Sequence, residues 1–372
     1  MTHFIRHLII TLLLTILPII SVAQRASKYT ISGYMKDSLS TENLIGATVY
    51  NKANWAGTST NQYGFYSLTL PAGEVELVYS YVGYNAQTFK FHLRRDTVIH
   101  VSLEGSAHLQ EVVVTADKTS RIQETTQMSA MNVPVAQIKS LPAFLGEVDV
   151  LKVLQMMPGI QSGSEGSSGL YVRGGGPDQN LILLDGVPVY NVSHLFGFFS
   201  VFNADAINSI EILKGGFPAR YGGRVSSVLD INMKEGNMQK FHGEGSVGIV
   251  SAKLTLEGPI VKDRTSFIVS GRRTYIDALA APFIAMAYKN KNNKLKVGYY
   301  FYDLTAKINH RISANDRIYL SAYMGDDNFS LWNERKFIDE VEGYDLGKRT
   351  ISSGLKWGNI TAAFRWNHVF TK

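Results

Sequence analysis

The chain has no cysteine among its 372 residues. No disulfide and no thiolate metal site can form, and a lipid-modified N-terminal cysteine is excluded. Such a chain is compatible with an oxidising compartment, where an unpaired thiol is a liability. Past residue 23 no apolar run reaches the ~20 residues a spanning helix needs. A membrane crossing by the mature chain would therefore use a β-barrel. Charge of one sign is scarce too. Lys and Arg total 37 against 31 acids, a net +6 with no basic stripe, which argues against a nucleic-acid partner. No Gly-Lys-Ser or Gly-Lys-Thr phosphate cradle occurs. A literal GxGxxG at Gly243 to Gly248 runs into strand-like sequence, Ile249 to Leu256, and not into the helix a dinucleotide fold places there. It is not a dinucleotide site.

What the chain does have is glycine (33) and Tyr plus Phe (37), which suit turn-rich β structure. Its length allows two or three domains. The first residues form a secretory signal. Arg6 precedes an apolar run, Leu8 to Val22, broken by Pro18 and ending in Ser21-Val22-Ala23 with small residues at the −3 and −1 positions. Cleavage after Ala23 leaves 36 basic and 31 acidic residues, a net +5.

Residues 28–105 read as an antiparallel sandwich of seven short strands. Turn signals at Asn61 to Gly64, Pro71 to Gly73 and Gly83 separate alternating runs such as Phe65 to Leu70 and Val75 to Val82. The segments Ile31-Ser32-Gly33, Leu44 to Val49, Gly57 to Asn61, Gly64-Phe65-Tyr66, Leu70 to Gly73 and Ser80 to Tyr84 resemble the carboxypeptidase-regulatory-like domain. His92 and His100 are isolated, so the paired His and carboxylate ligands of zinc hydrolysis are missing. The resemblance implies an interaction module, with no metal, no cofactor and no catalytic residue.

Residues 108–118 form a tether. Glu111, Val112, Val113, Val114, Thr115 and Ala116 make a β-branched run followed by polar sequence, Asp117 to Gln127. A short strand on a tether suits addition to a partner's sheet edge. These residues resemble a TonB box, which implies a TonB-type periplasmic energy transducer as partner.

Residues 119–235 read as a mixed α/β unit. Val150, Val153, Leu154 and Met157 share one helical face within Gly146 to Met157, stopped by Pro158-Gly159. A second short helix is expected at Asp205 to Ser209. Four motifs follow in order: Val172-Arg173-Gly174, Leu184-Asp185-Gly186-Val187-Pro188, Ile210-Glu211-Ile212-Leu213-Lys214-Gly215, and Arg220-Tyr221-Gly222. They resemble the TonB-dependent receptor plug. A plug fills a polar lumen, so Arg173, Glu211 and Arg220 are expected to be enclosed and paired. Leaving one such charge unpaired costs several kcal/mol.

Residues 240–372 read as the start of an outer-membrane barrel with about six transmembrane strands. The candidates are Phe241–Glu257, Thr265–Ile276, Val297–Ile312, Arg317–Met324, Thr350–Trp357 and Ile360–Phe370, with Gly358-Asn359 turning between the last two. Asp303, Thr305, Lys307 and Asn309 alternate with Leu304, Ala306 and Ile308. Six strands cannot close around a plug. The resemblance implies about 22, so the barrel is expected to be incomplete within these residues.

The reading is therefore β-rich and multi-domain: sandwich, α/β plug, partial barrel. It implies an outer-membrane receptor for energy-coupled uptake of a scarce nutrient (metal chelate, corrinoid, peptide or glycan), in contact with membrane lipid. Of the segments present, Gly176 to Asn180 and Asn191 to Phe202 are the expected ligand contacts. The rival is a surface or periplasmic binding protein that uses the sandwich without transport, which has no need of the plug motifs.

Overall fold

Period-two burial builds the first unit. The computed structural model describes residues 27–106, 130–139, 146–163, 167–288, 293–338 and 345–370. The signal segment and Glu111 to Ala116 lie outside them. The first eight strands are β1 (Lys28–Asp37), β2 (Thr48–Asn51), β3 (Gly57–Ser59), β4 (Phe65–Pro71), β5 (Gly73–Ser80), β6 (Gln87–Leu93), β7 (Thr97–Val98) and β8 (Val101–Leu103). One sheet centres on β1, paired antiparallel with β4 and parallel with β7 and β8. The other runs β3-β2-β5-β6. Ile31, Met35, Val49, Leu77 and the Tyr66 and Tyr79 rings fill the space between them. The phenols are not wasted in that core. Tyr79 donates to Tyr66 (2.9 Å), and Tyr66 to the Ile99 carbonyl (2.9 Å).

The second unit contains β9 (Ala130–Pro134), helix α1 (Val135–Lys139), helix α2 (Val150–Gln155), β10 (Ile160–Gln161), β11 (Tyr171–Val172), β12 (Asn180–Leu184), β13 (Val187–Pro188), β14 (Ser193–His194), β15 (Phe199–Ser200), β16 (Ile207–Leu213) and β17 (Ser227–Met233). Five of the strands form a sheet in the order β13-β12-β17-β16-β9, in which β12 and β17 are parallel. β17 is buried at every position, as befits its middle place. Val150, Leu151 and Leu154 of α2 pack in one cluster with Ile210, Ile212, Leu229 and Ile231.

Two helix expectations change here. The first shrinks to α2, because Asp149 caps it: its carboxylate accepts from the Leu151 and Lys152 amides at 2.9 and 3.1 Å. The second is a single 3-10 turn, Ala204–Ala206. From Ile207 onward the chain is already β16, held in a ladder on both sides by β17 and β9. Tertiary pairing overrides the local reading.

The third unit is one antiparallel six-stranded sheet in chain order: β18 (His242–Val247), β19 (Ser251–Val261), β20 (Thr265–Thr274), β21 (Asn293–Arg311), β22 (Asp316–Ile338) and β23 (Asp345–His368). The expected number of strands holds, but boundaries move: β21 already starts at Asn293, and β22 runs on to Ile338 where Met324 was the expected end. Phe241–Glu257 is a hairpin, not one strand: the Gly248 amide bonds the Ser251 carbonyl (2.8 Å) and turns the chain. Gly358-Asn359 makes no turn, and β23 runs straight through it. A Cβ on Gly358 would sit 2.1 Å from the Gly325 carbonyl oxygen. Glycine is there for close approach to β22, not for reversal. Helix α3 (Ile276–Ala287), which the sequence patterns did not reveal, packs beside the outer part of β21, which has no β20 partner there. It covers an otherwise open strand edge.

Register makes the two faces of this sheet explicit. Leu254, Gly271, Leu304, Met324 and Ile360 lie in one row across it, and Leu256, Val269, Ala306, Ala322 and Ala362 in the next. That face is an apolar belt. The opposite face carries Ser270, Arg272, Asp303, Thr305, Lys307 and Asn309, all buried against the second unit.

Candidate functional site

The seam between plug and sheet is built from charges that neither partner could bury alone. Asp303 on β21 lies at its centre. One of its oxygens accepts from His194 Nε2 (2.8 Å) and the Tyr323 hydroxyl (2.7 Å). The other accepts from Arg272 Nε and a terminal guanidinium nitrogen, at 2.8 and 2.6 Å. His194 Nδ1 meets Asp327 at 2.7 Å. With a carboxylate on each ring nitrogen, both nitrogens are donors and the ring is an imidazolium. It stacks on Phe301, with centroids 4.0 Å apart. The plug loop between β14 and β15 is thus held by a cation lodged between two wall carboxylates.

Further contacts run down the seam. Arg272 also donates to the Ser200 carbonyl (2.7 Å), and Asn203 to Ser270 (2.7 Å). Asp205 pairs with Lys139 (2.6 Å) and with Lys253 of the wall (2.8 Å). Asp185 pairs with Lys307 (2.9 Å), accepts from the Met233 amide (3.0 Å), and gives its carbonyl to Arg365 (2.8 Å). Ser251 donates to Glu147. These polar contacts can be broken and remade in water; beside them Phe199 and Leu195 of the plug pack with Tyr299, Phe301 and Trp357 of the wall.

The plug motifs divide between this seam and the rest of the plug. Asp185, at φ +48°, and Gly186, at φ +83°, form a turn against β21 and β23. Lys214 is buried and donates to the Pro158 carbonyl (2.6 Å), and Gly215 takes φ +88° after it. Arg173, at φ +48°, and Arg220 are exposed rather than enclosed, and Glu211 is partly buried. Gly174 and Gly222 have open space around them. Arg220 lies over the Tyr221 ring (4.7 Å), whose hydroxyl donates to Asp230 (3.2 Å). Burial, with Asp230 beside it, pushes the Glu211 carboxyl above its usual range. Burial, with Arg173 near, pulls the Lys214 amine down. The charges enclosed in the seam include Asp185, Asp205, Arg272, Asp303, Lys307 and Asp327, and Lys214 is buried within the plug. Of these, the plug motifs had singled out Asp185 and Lys214. Sequence reasoning saw Asp303 only as the polar phase of a strand, and His194 only as part of the Asn191 to Phe202 segment expected to contact a ligand.

A second seam joins the sandwich to the plug. Glu42 accepts from the Asn208 side chain (3.1 Å) and the Glu235 amide (2.8 Å), Asn43 donates to Glu235 (3.3 Å), and the Met238 amide bonds the Ser40 carbonyl (3.1 Å). Gly46, at φ +75°, lies against the Asn132 side chain of β9, and a Cβ there would come within 1.9 Å of its Nδ2. Burial, with the Glu235 carboxylate near, pushes Glu42 from 4.5 up to about 8. The docked state therefore holds a proton that the undocked state releases. Docking is expected to be firmest below pH 4.5, to weaken from there to about 8, and to level off above. Energy transfer between dyes on Leu39→Cys and Lys262→Cys, in a chain with no other thiol, would report it. Glu42→Gln should flatten the response; an unchanged pH dependence would show that Glu42 is not the titrating group.

Comparison with known proteins follows this layout. The CarboxypepD_reg-like domain family matches residues 31–114, and the TonB-dependent Receptor Plug Domain family residues 123–227. TonB-dependent receptor P26 of Formosa agariphila is 33% identical over 208 residues, 52% of this chain and 20% of that protein. Vitamin B12 transporter BtuB of Vibrio vulnificus is 28% identical over 146 residues, 36% of this chain and 23% of that one. The chain thus spans about a fifth of the length of these relatives. The siderophore receptor PirA of Pseudomonas aeruginosa aligns over 64% of this chain and 42% of its own, with 17% identity and a TM-score of 0.39.

Proposed function

Because this chain belongs to the TonB-dependent receptors, we propose that it serves energy-coupled uptake of a scarce nutrient across the outer membrane. The observation that supports this best is the charged seam: a plug held to a barrel wall through Asp303, His194, Arg272, Asp185 and Lys307. A pure adhesin gains nothing from a plug seated this way. In this reading Met1 to Ala23 is removed on export. The nutrient binds on the outer side, where Tyr190, Phe196 and Phe198 are exposed and Phe196 lies among Tyr299, Phe329 and Trp357. A metal chelate, corrinoid, peptide or glycan all remain open as its class. The names of the relatives, a vitamin B12 transporter and siderophore receptors among them, lean towards the first two.

Coupling comes from a TonB-type periplasmic transducer that captures Glu111 to Ala116 by strand addition. The first described element after the tether in the chain is β9 (Ala130–Pro134), the edge strand of the plug sheet. A pull on the box would load that edge first, next to the Gly46 contact. A peptide spanning Leu109 to Lys118 should shift the amide resonances of the transducer's periplasmic domain in an NMR titration. Val113→Ile should do the same, since the bonds are made by the backbone. No shifts with the wild-type peptide would sink the coupling assignment.

A further inference from the structure

The apolar face of the barrel sheet is not uniform. In the row of Leu254 and Leu304 two positions are glycines, Gly245 and Gly271, and the hollow they leave opens into a groove of about 690 Å³. Its walls are Leu254, Leu304, Met324, Val247 and Tyr302, and Arg273 stands at one end. The volume falls in the range of ordinary ligand sites, roughly 300–1,000 Å³. A Cβ on Gly271 would meet nothing nearer than the Asp303 carbonyl oxygen at 4.0 Å, so packing does not require the glycine there. The hollow is a feature of the surface.

The direction of the groove follows from the turns. Barrels place short turns on the periplasmic side. The turns at 262–264 and 312–315 are short, and the sandwich docks at that same end through Met238 and Glu235. The opposite end, with α3 and the long arms of β21 to β23, faces out. Counting outward from the 312–315 turn, about ten residues span the bilayer, which puts its outer boundary at the row of Tyr302 and Arg273. The groove therefore lies in the outer leaflet, with the guanidinium at headgroup level.

Charge on that same face changes at the same row. Beyond it, Lys294, Lys296, Lys336, Lys348 and Lys356 join Arg273, opposed by Asp277, Asp326 and Glu334. Among the described residues, six bases face three acids. The ion pair of Arg273 with Asp277 is 3.7 Å long, beyond hydrogen-bond reach, so its donors are not committed there. The guanidinium lies over the Tyr300 ring at 4.9 Å, which fixes it in place. Apolar hollow below and excess positive charge above complement an anionic amphiphile.

We propose that the groove between Gly245, Leu254, Gly271 and Leu304, with Arg273 at its outer end, binds an acyl chain and the phosphate of a phosphate-bearing outer-leaflet lipid. The inference rests on the membrane placement of the sheet and not on nutrient uptake. Native mass spectrometry of the full chain in detergent micelles would test it, with lipid A as the probe and a phosphate-free acylated glucosamine as its counterpart. The wild type should retain lipid A and release the phosphate-free lipid. Arg273→Glu should retain about tenfold less, since it reverses a charge at the headgroup. Gly271→Leu, which fills the hollow, should lose the lipid to a similar extent. Leu304→Trp fills the same hollow from the next strand and replaces Gly271→Leu if circular dichroism shows lost strand signal. Equal retention by wild type and either class of variant overturns the site, as does equal retention of the phosphate-free lipid. Displacement of lipid A by inorganic phosphate alone would overturn it too, because the acyl chain would then contribute nothing.

Discussion

Val113→Pro is expected to abolish energised uptake while leaving nutrient binding at the cell surface unchanged. A strand added to a sheet edge is held by backbone hydrogen bonds, and proline deletes one donor and fixes φ near −65°. Losing one ladder bond at the centre of a six-residue segment also misaligns its neighbours, so the loss should approach that of cells without the transducer. Val113→Ile keeps the backbone and should grow like wild type on the limiting nutrient. Surface binding is spared in the proposed reading, because the transducer takes the box from the periplasm while the nutrient meets the exposed aromatics Tyr190 and Phe196 from outside. If the proline variant takes up nutrient normally, coupling does not pass through this segment. If binding also falls, the change has damaged the plug rather than its connection.

The sequence reveals much of the fold and little of the site, for one physical reason. Period-two alternation is a local property, so β21 can be read from Leu304, Ala306 and Ile308 set against Asp303, Thr305 and Lys307. Turn chemistry is local as well, and Asp185-Gly186 does turn, with both residues at positive φ. The pairing of Asp303 with His194 spans 109 residues, and that of Asp185 with Lys307 spans 122. Neither local pattern nor propensity carries such information. The same limit explains Gly358. Next to asparagine it has the chemistry of a hairpin turn, and only the Gly325 backbone across the ladder shows why glycine is needed. It also explains Arg173 and Arg220. Their motifs identified the plug, but which charges are enclosed depends on which plug face meets the wall, and that is a tertiary fact.

That tertiary fact sets the second large effect. Asp303→Ala is expected to loosen the plug from the wall by about 3–5 kcal/mol, the usual cost of removing one partner from a buried ion pair. Asp303 is 3% exposed and serves three donors at once: Arg272, His194 and Tyr323. Without it the Arg272 guanidinium keeps the Ser200 carbonyl, a 3.9 Å approach to Glu147 and the Phe301 ring, and no close carboxylate. Asp303→Asn should be nearly as harmful, because one side of the amide would turn N–H groups towards donors that need an acceptor. Tyr323→Phe removes a single neutral donor and should cost only about 1 kcal/mol. His194→Phe keeps the stack on Phe301 but leaves Asp303 and Asp327 without the cation between them, so it belongs with the severe changes. Plug release can be followed by the reactivity of a thiol placed at Ser200, which is 1% exposed and lies in the seam. The severe variants should label quickly without any energy source, and Tyr323→Phe slowly. Slow labelling of Asp303→Ala would mean that the plug is retained by its other contacts, Asp205 with Lys253 and Asp185 with Lys307, and that the His194 clasp orients the outer loop without holding the plug in place.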